Sequence, residues 1–393
     1  MNIILFDTQR TKLLPFAYTR PIADFRCGIL TLKEKWEKRV SSAKVSFLTV
    51  PYLQVKYQVV YNSLNLYVNG ALLVDEQMIA AFQQLKDGEA LYDDADNLMA
   101  LCSTEKLELE NLENAVQEKL NYVDAFSKIE NVWDIFVLNA QEIEKDFELL
   151  TRGRTSAPID SSNTLLGDRI FLEEGAVVQA AILNSKTGPI YVGKDAEIME
   201  GSVIRGPFAM GEHAALKISA KIYGATTLGP HVKVGGEVSN SVIFGYSNKG
   251  HEGFLGNSVL GEWCNLGADT NVSNLKNNYA LIKLWSYEKG GFKNSGQQFC
   301  GMMMGDHSKS GINTMFNTAT VVGVSSNIYG GGFPRSFIPS FSWGGAEKWM
   351  TYRFEKAMEV AEKMMERRGV KLEESDRSIL KQVFELSSTY RNF

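Results

Sequence analysis

The stretch "VGKDAEIMEGSVIRGPFAMGEHAALKISAKIYGATTLGPHVKV", residues 192–234, decides the fold. Val192, Ile198, Ile204, Met210, Leu216, Ile222, Leu228 and Val234 occupy every sixth position without a miss. Four residues after each come Ala196, Ser202, Phe208, Ala214, Ala220, Thr226, Val232 and Val238, mostly small or β-branched. A helix repeats near 3.6 residues and a half-buried strand near 2, so neither sustains this spacing; a parallel β-solenoid of hexapeptide repeats does. Gly193, Gly211 and Gly229 recur at intervals of eighteen, which marks one corner of successive three-sided coils.

The pattern extends outward in both directions. Leu166, Leu172 and Val178 precede it, followed by a short insertion, "NSKTGPIY" (184–191). Val242, Phe254, Leu260, Leu266 and Val272 keep the spacing afterwards, and Met304, Phe316, Val322 and Ile328 resume it, with Ser310 polar. Residues 273–303 are a long excursion, the kind of loop that on a solenoid more often serves function than decoration. One position breaks the rule: Asn248 stands where an aliphatic rung is expected, three residues before His251. A local break in a regular repeat is where function is expected.

Residues 1–152 read as a mixed α/β domain, with strands at "NIILF", "SFLTVP" and "NLYVNGALLV" and a helical stretch at "GILTLKEKWEKRV". Residues 134–150 read as an amphipathic helix leading into a polar linker. The solenoid is expected over 153–340, and C-terminal helices over 341–393, from helical apolar spacing in 344–368 and 374–388 that includes Trp349. The fold class is thus a reduced Rossmann-like α/β domain, a left-handed parallel β-helix and C-terminal helices.

The totals exclude several classes. With 44% hydrophobic and 22% charged residues in a chain of 393, a disordered or fibrous chain is ruled out. Forty-six acidic against 41 basic residues give a net charge of −5, so neither nucleic acid nor an anionic membrane is a general partner. Cys27, Cys102, Cys264 and Cys300 show neither metal-site pairing nor the density of a disulfide scaffold, and no apolar run approaches a membrane span. These features predict a reduced, cytoplasmic protein without a metal site built on cysteine.

Four histidines limit the candidates for proton transfer. His213, His231 and His307 fall at turn positions in the repeat; His251, in "YSNKGHEGFLG" (246–256), reads either as another corner residue or as a neutral base. Acyl transfer to an amine needs such a base, because the attacking nitrogen must lose a proton as it bonds to the thioester carbon. Arg10, Lys12, Arg20 and Arg26 form a basic set near the start, read as a solvated face or a phosphate site. Arg335 and Lys309 read as solvated surface, with coenzyme A phosphates as the alternative.

The segment 229–278, "GPHVKVGGEVSNSVIFGYSNKGHEGFLGNSVLGEWCNLGADTNVSNLKNN", resembles the GlmU-type bifunctional uridylyltransferase/acetyltransferase family, in particular its shorter bacterial and archaeal relatives. That family carries an E-x-K element, a G-H or P-H dipeptide before "YLGD", and then "IGAGT…N". The resemblance implies that His251 is the catalytic base, with Asn274 beside it in the catalytic set. It implies that Asn265 and Asn274 lie at the sugar and acetyl sites, Glu237 contacts the amino sugar, and Ala268 lies beside acetyl-CoA. Lys221, Lys249, Asn248 and Phe254 join the sugar-phosphate set, and Gly330 the acetyl-CoA set. Three positions depart from the pattern: Ser239 replaces a lysine, Lys221 an arginine and Phe254 a tyrosine.

The N-terminal region resembles a reduced form of the family's nucleotidyltransferase domain. Its expected glycine-rich loop corresponds to "FDTQRTKLLPFAYTRP", which has no glycine. Ala71 stands where the family has a metal-binding aspartate, with Asp75 close by. The resemblance therefore implies transfer of an acetyl group from acetyl-CoA to an amino-sugar phosphate such as glucosamine 1-phosphate. It also implies a homotrimer, and magnesium with a nucleoside triphosphate only if the first domain is active. The alternatives are a uridylyl- or thymidylyltransferase whose solenoid serves oligomerisation, and a silent sugar-nucleotide-binding scaffold.

Overall fold

The computed structural model describes residues Met1–Phe393. The chain forms two compact units. The first comprises Met1–Leu13, Thr19–Phe25 and Leu30–Glu130; the second comprises Leu14–Tyr18, Arg26–Ile29 and Asn131–Phe393.

The first unit is built on a six-stranded mixed sheet. Asn2–Phe6 is fully buried one place in from the sheet edge, paired in parallel with Lys44–Leu48 on one side and Asn65–Asn69 on the other. Leu98–Ser103 runs antiparallel to Asn65–Asn69. The helix Leu32–Arg39 starts at Thr31, whose hydroxyl accepts from the Glu34 N–H while Glu34 answers at the Thr31 N–H, so two orphan donors of the first turn are satisfied.

The second unit is a three-faced parallel β-solenoid. Its faces hold six, nine and ten hydrogen-bonded strands. All eight residues of the opening six-fold series are at most 1% exposed and belong to one core running along the solenoid axis. Gly229 shows why its corner excludes a side chain: a Cβ there would stand 1.3 Å from the Phe244 carbonyl oxygen.

Beyond Val234 the six-residue frame slips. On the third face Leu216 pairs with Val234, eighteen residues on, but Val234 pairs with Lys249, only fifteen further. On the second face Leu228 pairs with Ile243 in the same shortened coil. The inward residues are therefore Ile243, Lys249 and Leu255, one position after the expected Val242, Asn248 and Phe254. The polar break in the core is real, but the residue filling it is Lys249, at 1% exposed, while Asn248 points outward.

One corner of the solenoid carries a ladder of rings. His213, His231, Tyr246, Trp263 and His307 all have φ between 54° and 61° and stack in sequence at centroid spacings of 4.9, 4.7, 4.2 and 6.2 Å. The excursion 273–303 contains a hairpin, Lys283–Ser286 with Gly291–Asn294. After the last coil, Trp349–Thr351 is a strand antiparallel to Ser342–Gly344 rather than part of a helix. Two helices follow, Phe354–Glu366 and Glu374–Leu386. The first buries Phe354, Ala357, Met358, Ala361 and Met365 in a helical stripe.

Candidate active site

His251 lies at the corner between the third-face strand Asn248–Lys249 and the first-face strand Phe254–Gly256. Its imidazole is exposed and hydrogen-bonded to nothing in the chain. It opens into a cavity of about 650 Å³ whose floor is one row across the third face: Lys233, Asn248, Asn265 and Lys309, each paired with the next. Gly267 and Ala268 border the same space, and the roof comes from Val360 and Met364 of the tail helix with Arg367 and Arg368 beyond its end.

The cavity is cationic. Lys217, Lys233, Lys309, Arg367 and Arg368 line it, and no carboxylate does. Burial lowers the pKa of Lys233, with the positive charges of Arg368, Lys217 and Arg367 adding to the effect. Burial likewise lowers that of Arg368, with Arg367 next to it contributing. Lys309 keeps part of its stem exposed, but its ammonium is withdrawn from water, donates to the His307 carbonyl at 2.7 Å and is pushed down to about 8 by desolvation. Like charges held this close without a counter-ion favour an anionic occupant. Tyr246 and Trp263 of the ring ladder, with Leu266 and Ile312, supply apolar wall.

The sequence-predicted residues divide around the His251 corner. His251, Asn248, Asn265 and Ala268 share the cavity. Lys221, Glu237 and Phe254 do not line it; they form a row on the first face, Lys221 paired with Glu237 and Glu237 with Phe254. Lys221 is salt-bridged to Glu252 at 3.1 Å, and the Tyr223 hydroxyl donates to Glu237. The Asn274 amide donates to Asn257 at 2.8 Å and, with the Phe254 ring, covers Gly256. Lys249 faces the core, where its ammonium donates to the carbonyls of Gly235 and His251, each at 3.0 Å. Gly330 stands apart at φ 100°. The sequence reading missed Lys217, Lys233, Arg367 and Arg368. The first two are not at matching places, since Lys233 pairs with Ala215 and Lys217 lies two positions further on, so no repeat spacing marks them in the sequence.

In the first unit a cavity of about 210 Å³ is lined by Asp7, Asp96, Glu113 and Glu130, with Lys128 as its single basic residue. Ala71 borders it. Asp75 does not; its carboxylate caps the helix Glu76–Phe82 by accepting from the Met78 N–H. None of the four basic candidates lines this cavity. Arg10 pairs with Asp7, Arg20 pairs with Asp24 at 3.3 Å, Arg26 donates to the Ile29 carbonyl, and Lys12 bonds Gln9. No group of three or more His, Cys, Asp or Glu is arranged to hold a metal ion. Magnesium held by one or two carboxylates together with substrate phosphates needs no such group, and Ala71 contributes no carboxylate to this cavity.

Fold and sites together define a chain with a sugar-nucleotidyltransferase-type α/β unit and a hexapeptide solenoid bearing an anion-receptive cavity beside an exposed histidine. Residues 3–155 match the family described as sugar nucleotidyl transferase. The chain is 28% identical to the bifunctional sugar-1-phosphate nucleotidylyltransferase/acetyltransferase of Sulfurisphaera tokodaii over 62% of its own length and 64% of that protein. It is 32% identical to the bifunctional protein GlmU of Wigglesworthia glossinidia brevipalpis over 31% of its length and 25% of that protein. It thus spans less than two thirds of either relative. The polySia-specific acetyltransferase NeuO is a structural neighbour at 13% identity and a TM-score of 0.26, covering 49% of this chain and 86% of that one. The family match and both relatives support the GlmU-type family. No helix is long and apolar enough to cross a membrane.

Proposed function

We propose that the chain transfers an acetyl group from acetyl-CoA to an amino-sugar phosphate of the glucosamine 1-phosphate kind. The observation that carries this reading is the five-cation, carboxylate-free cavity that opens beside His251. Coenzyme A brings phosphates that such a cavity suits, and its pantetheine arm matches the apolar wall of Trp263, Leu266 and Ile312. The amine of the acceptor attacks the thioester carbon; the new C–N bond forms as the C–S bond breaks. His251 takes the proton shed by the nitrogen and returns it to the departing thiolate, so no covalent enzyme intermediate is needed. Asn265 and Asn248 orient groups at the cavity floor. Asn274 and the first-face row Lys221, Glu237 and Phe254 lie across the same corner and are assigned to the acceptor. A homotrimer in which a neighbouring copy closes the cleft is part of this reading.

A second reading is sugar-1-phosphate nucleotidyl transfer, favoured by the family match over residues 3–155. The carboxylate-lined cavity and the pairing of Arg10 and Arg20 weigh against it. The deciding experiment follows thiol release from acetyl-CoA with glucosamine 1-phosphate and other amino-sugar phosphates, in the wild type and in His251→Ala. Amine-dependent release abolished by the substitution is expected; no release with any acceptor would sink the acetyltransferase reading.

A further inference from the structure

We infer that Lys249 is a positioning residue that holds the His251 corner in its working shape from inside the solenoid core. This rests on the reading of His251 as the base. Lys249 occupies an inward slot of the third face: Val234 pairs with it directly, and the pairing of Asn248 with Asn265 sets it beside Leu266. Along this face the preceding inward residues are Val178, Ile198, Leu216 and Val234. An aliphatic side chain there would need no hydrogen-bond partners, whereas a buried ammonium loses its hydration. Both of its hydrogen bonds go to the backbone around the candidate base: to the carbonyl of His251 itself and to Gly235 in the preceding coil, each at 3.0 Å. The shortening falls earlier, between Val234 and Ile243, and the corner itself keeps the regular six residues from Lys249 to Leu255.

These facts argue for geometry rather than stability as the return on this lysine. The carbonyl of His251 is fixed from below, and with it the direction of its Cα–Cβ bond into the cavity. The ring is not touched by Lys249, which therefore acts through the backbone. Removing the ammonium while keeping the volume should relieve burial of a charge and release the corner together.

The test compares full-length wild type with Lys249→Met, Lys249→Gln and His251→Ala. Lys249→Met should melt no lower than wild type, leave the KM for acetyl-CoA within about twofold, and lower kcat about tenfold or more with glucosamine 1-phosphate. Lys249→Gln, which keeps a donor on a shorter arm, should fall between. The imidazole Cε1–H signal of His251, identified among four histidines by its loss in His251→Ala, should broaden or split in Lys249→Met; this readout needs no acceptor. An unchanged kcat, or an unchanged His251 signal in folded Lys249→Met, overturns the proposal. Loss of fold in both lysine variants also overturns it, since the residue would then be structural. If His251→Ala stays active, the base reading fails instead.

Discussion

Arg368 donates to the Asn248 side-chain oxygen at 2.7 Å and to the His231 carbonyl at 3.2 Å, tying the end of the tail helix to two successive coils of the solenoid. The cavity beside His251 consequently has a roof fixed to its floor. Gly369, at φ 70°, ends the helix and lets the chain turn away just past this arginine.

Arg368→Ala should cost about 1 kcal/mol of stability, because the guanidinium is only partly buried. It should also raise the KM for acetyl-CoA about tenfold with little change in kcat. Thermal melts and initial rates check both. A kcat loss at constant KM would place Arg368 in the chemistry rather than in donor binding.

The five cations predict a salt response. The KM for acetyl-CoA should rise severalfold between about 0.05 and 0.5 M salt, as screening shortens the reach of the cavity charges. Lys309→Met should raise KM and flatten that dependence. A KM insensitive to salt in the wild type would count against an anionic donor in this cavity.

Lys249 also predicts a pH dependence of stability. Desolvation pushes its folded-state pKa down to about 8, from an ordinary 10.5. Between these values the unfolded chain binds the extra proton, so folded stability rises with pH through this window, and the burial cost is fully present below about pH 8. Lys249→Met, lacking that titration, should exceed wild type by on the order of 2 to 3 kcal/mol near pH 7, and the gap should narrow toward pH 10. Denaturant melts of the two proteins at both pH values measure it.

Gly229→Ala should destabilise by more than about 3 kcal/mol, since the added Cβ falls 1.3 Å from a backbone oxygen that cannot swing aside. A variant with wild-type melting would mean that the coils can separate at this corner.

For the first unit, no magnesium-dependent pyrophosphate release from UTP and a sugar 1-phosphate is expected. Ala71 brings no carboxylate to the cavity, and Asp75 is engaged as a helix cap. Release at a rate typical of such transferases would restore the nucleotidyltransferase reading.

The solenoid was legible because each inward residue of the regular coils repeats its chemistry at a fixed interval, as from Val192 to Val234. The interval fails where coils shorten. A one-position slip moved the polar rung from Asn248 to Lys249, and periodicity cannot detect a shortened coil from inside it. His251 and Asn265 could be picked out by type and local context. Arg368 could not, because its partners Asn248 and His231 are far away in sequence and the helix it follows has no motif. Arg10 and Arg20 read as a solvated face or a phosphate site; only the fold reveals that they pair with Asp7 and Asp24.

The membership of Leu14–Tyr18 and Arg26–Ile29 in the second unit has a practical consequence. No single break in the peptide leaves both units intact: a cut after Glu130 keeps the first whole but strips the second of Leu14–Tyr18 and Arg26–Ile29. Chimeras that exchange one half between relatives need several splice points, and a deletion from the amino terminus removes material from the solenoid's own unit.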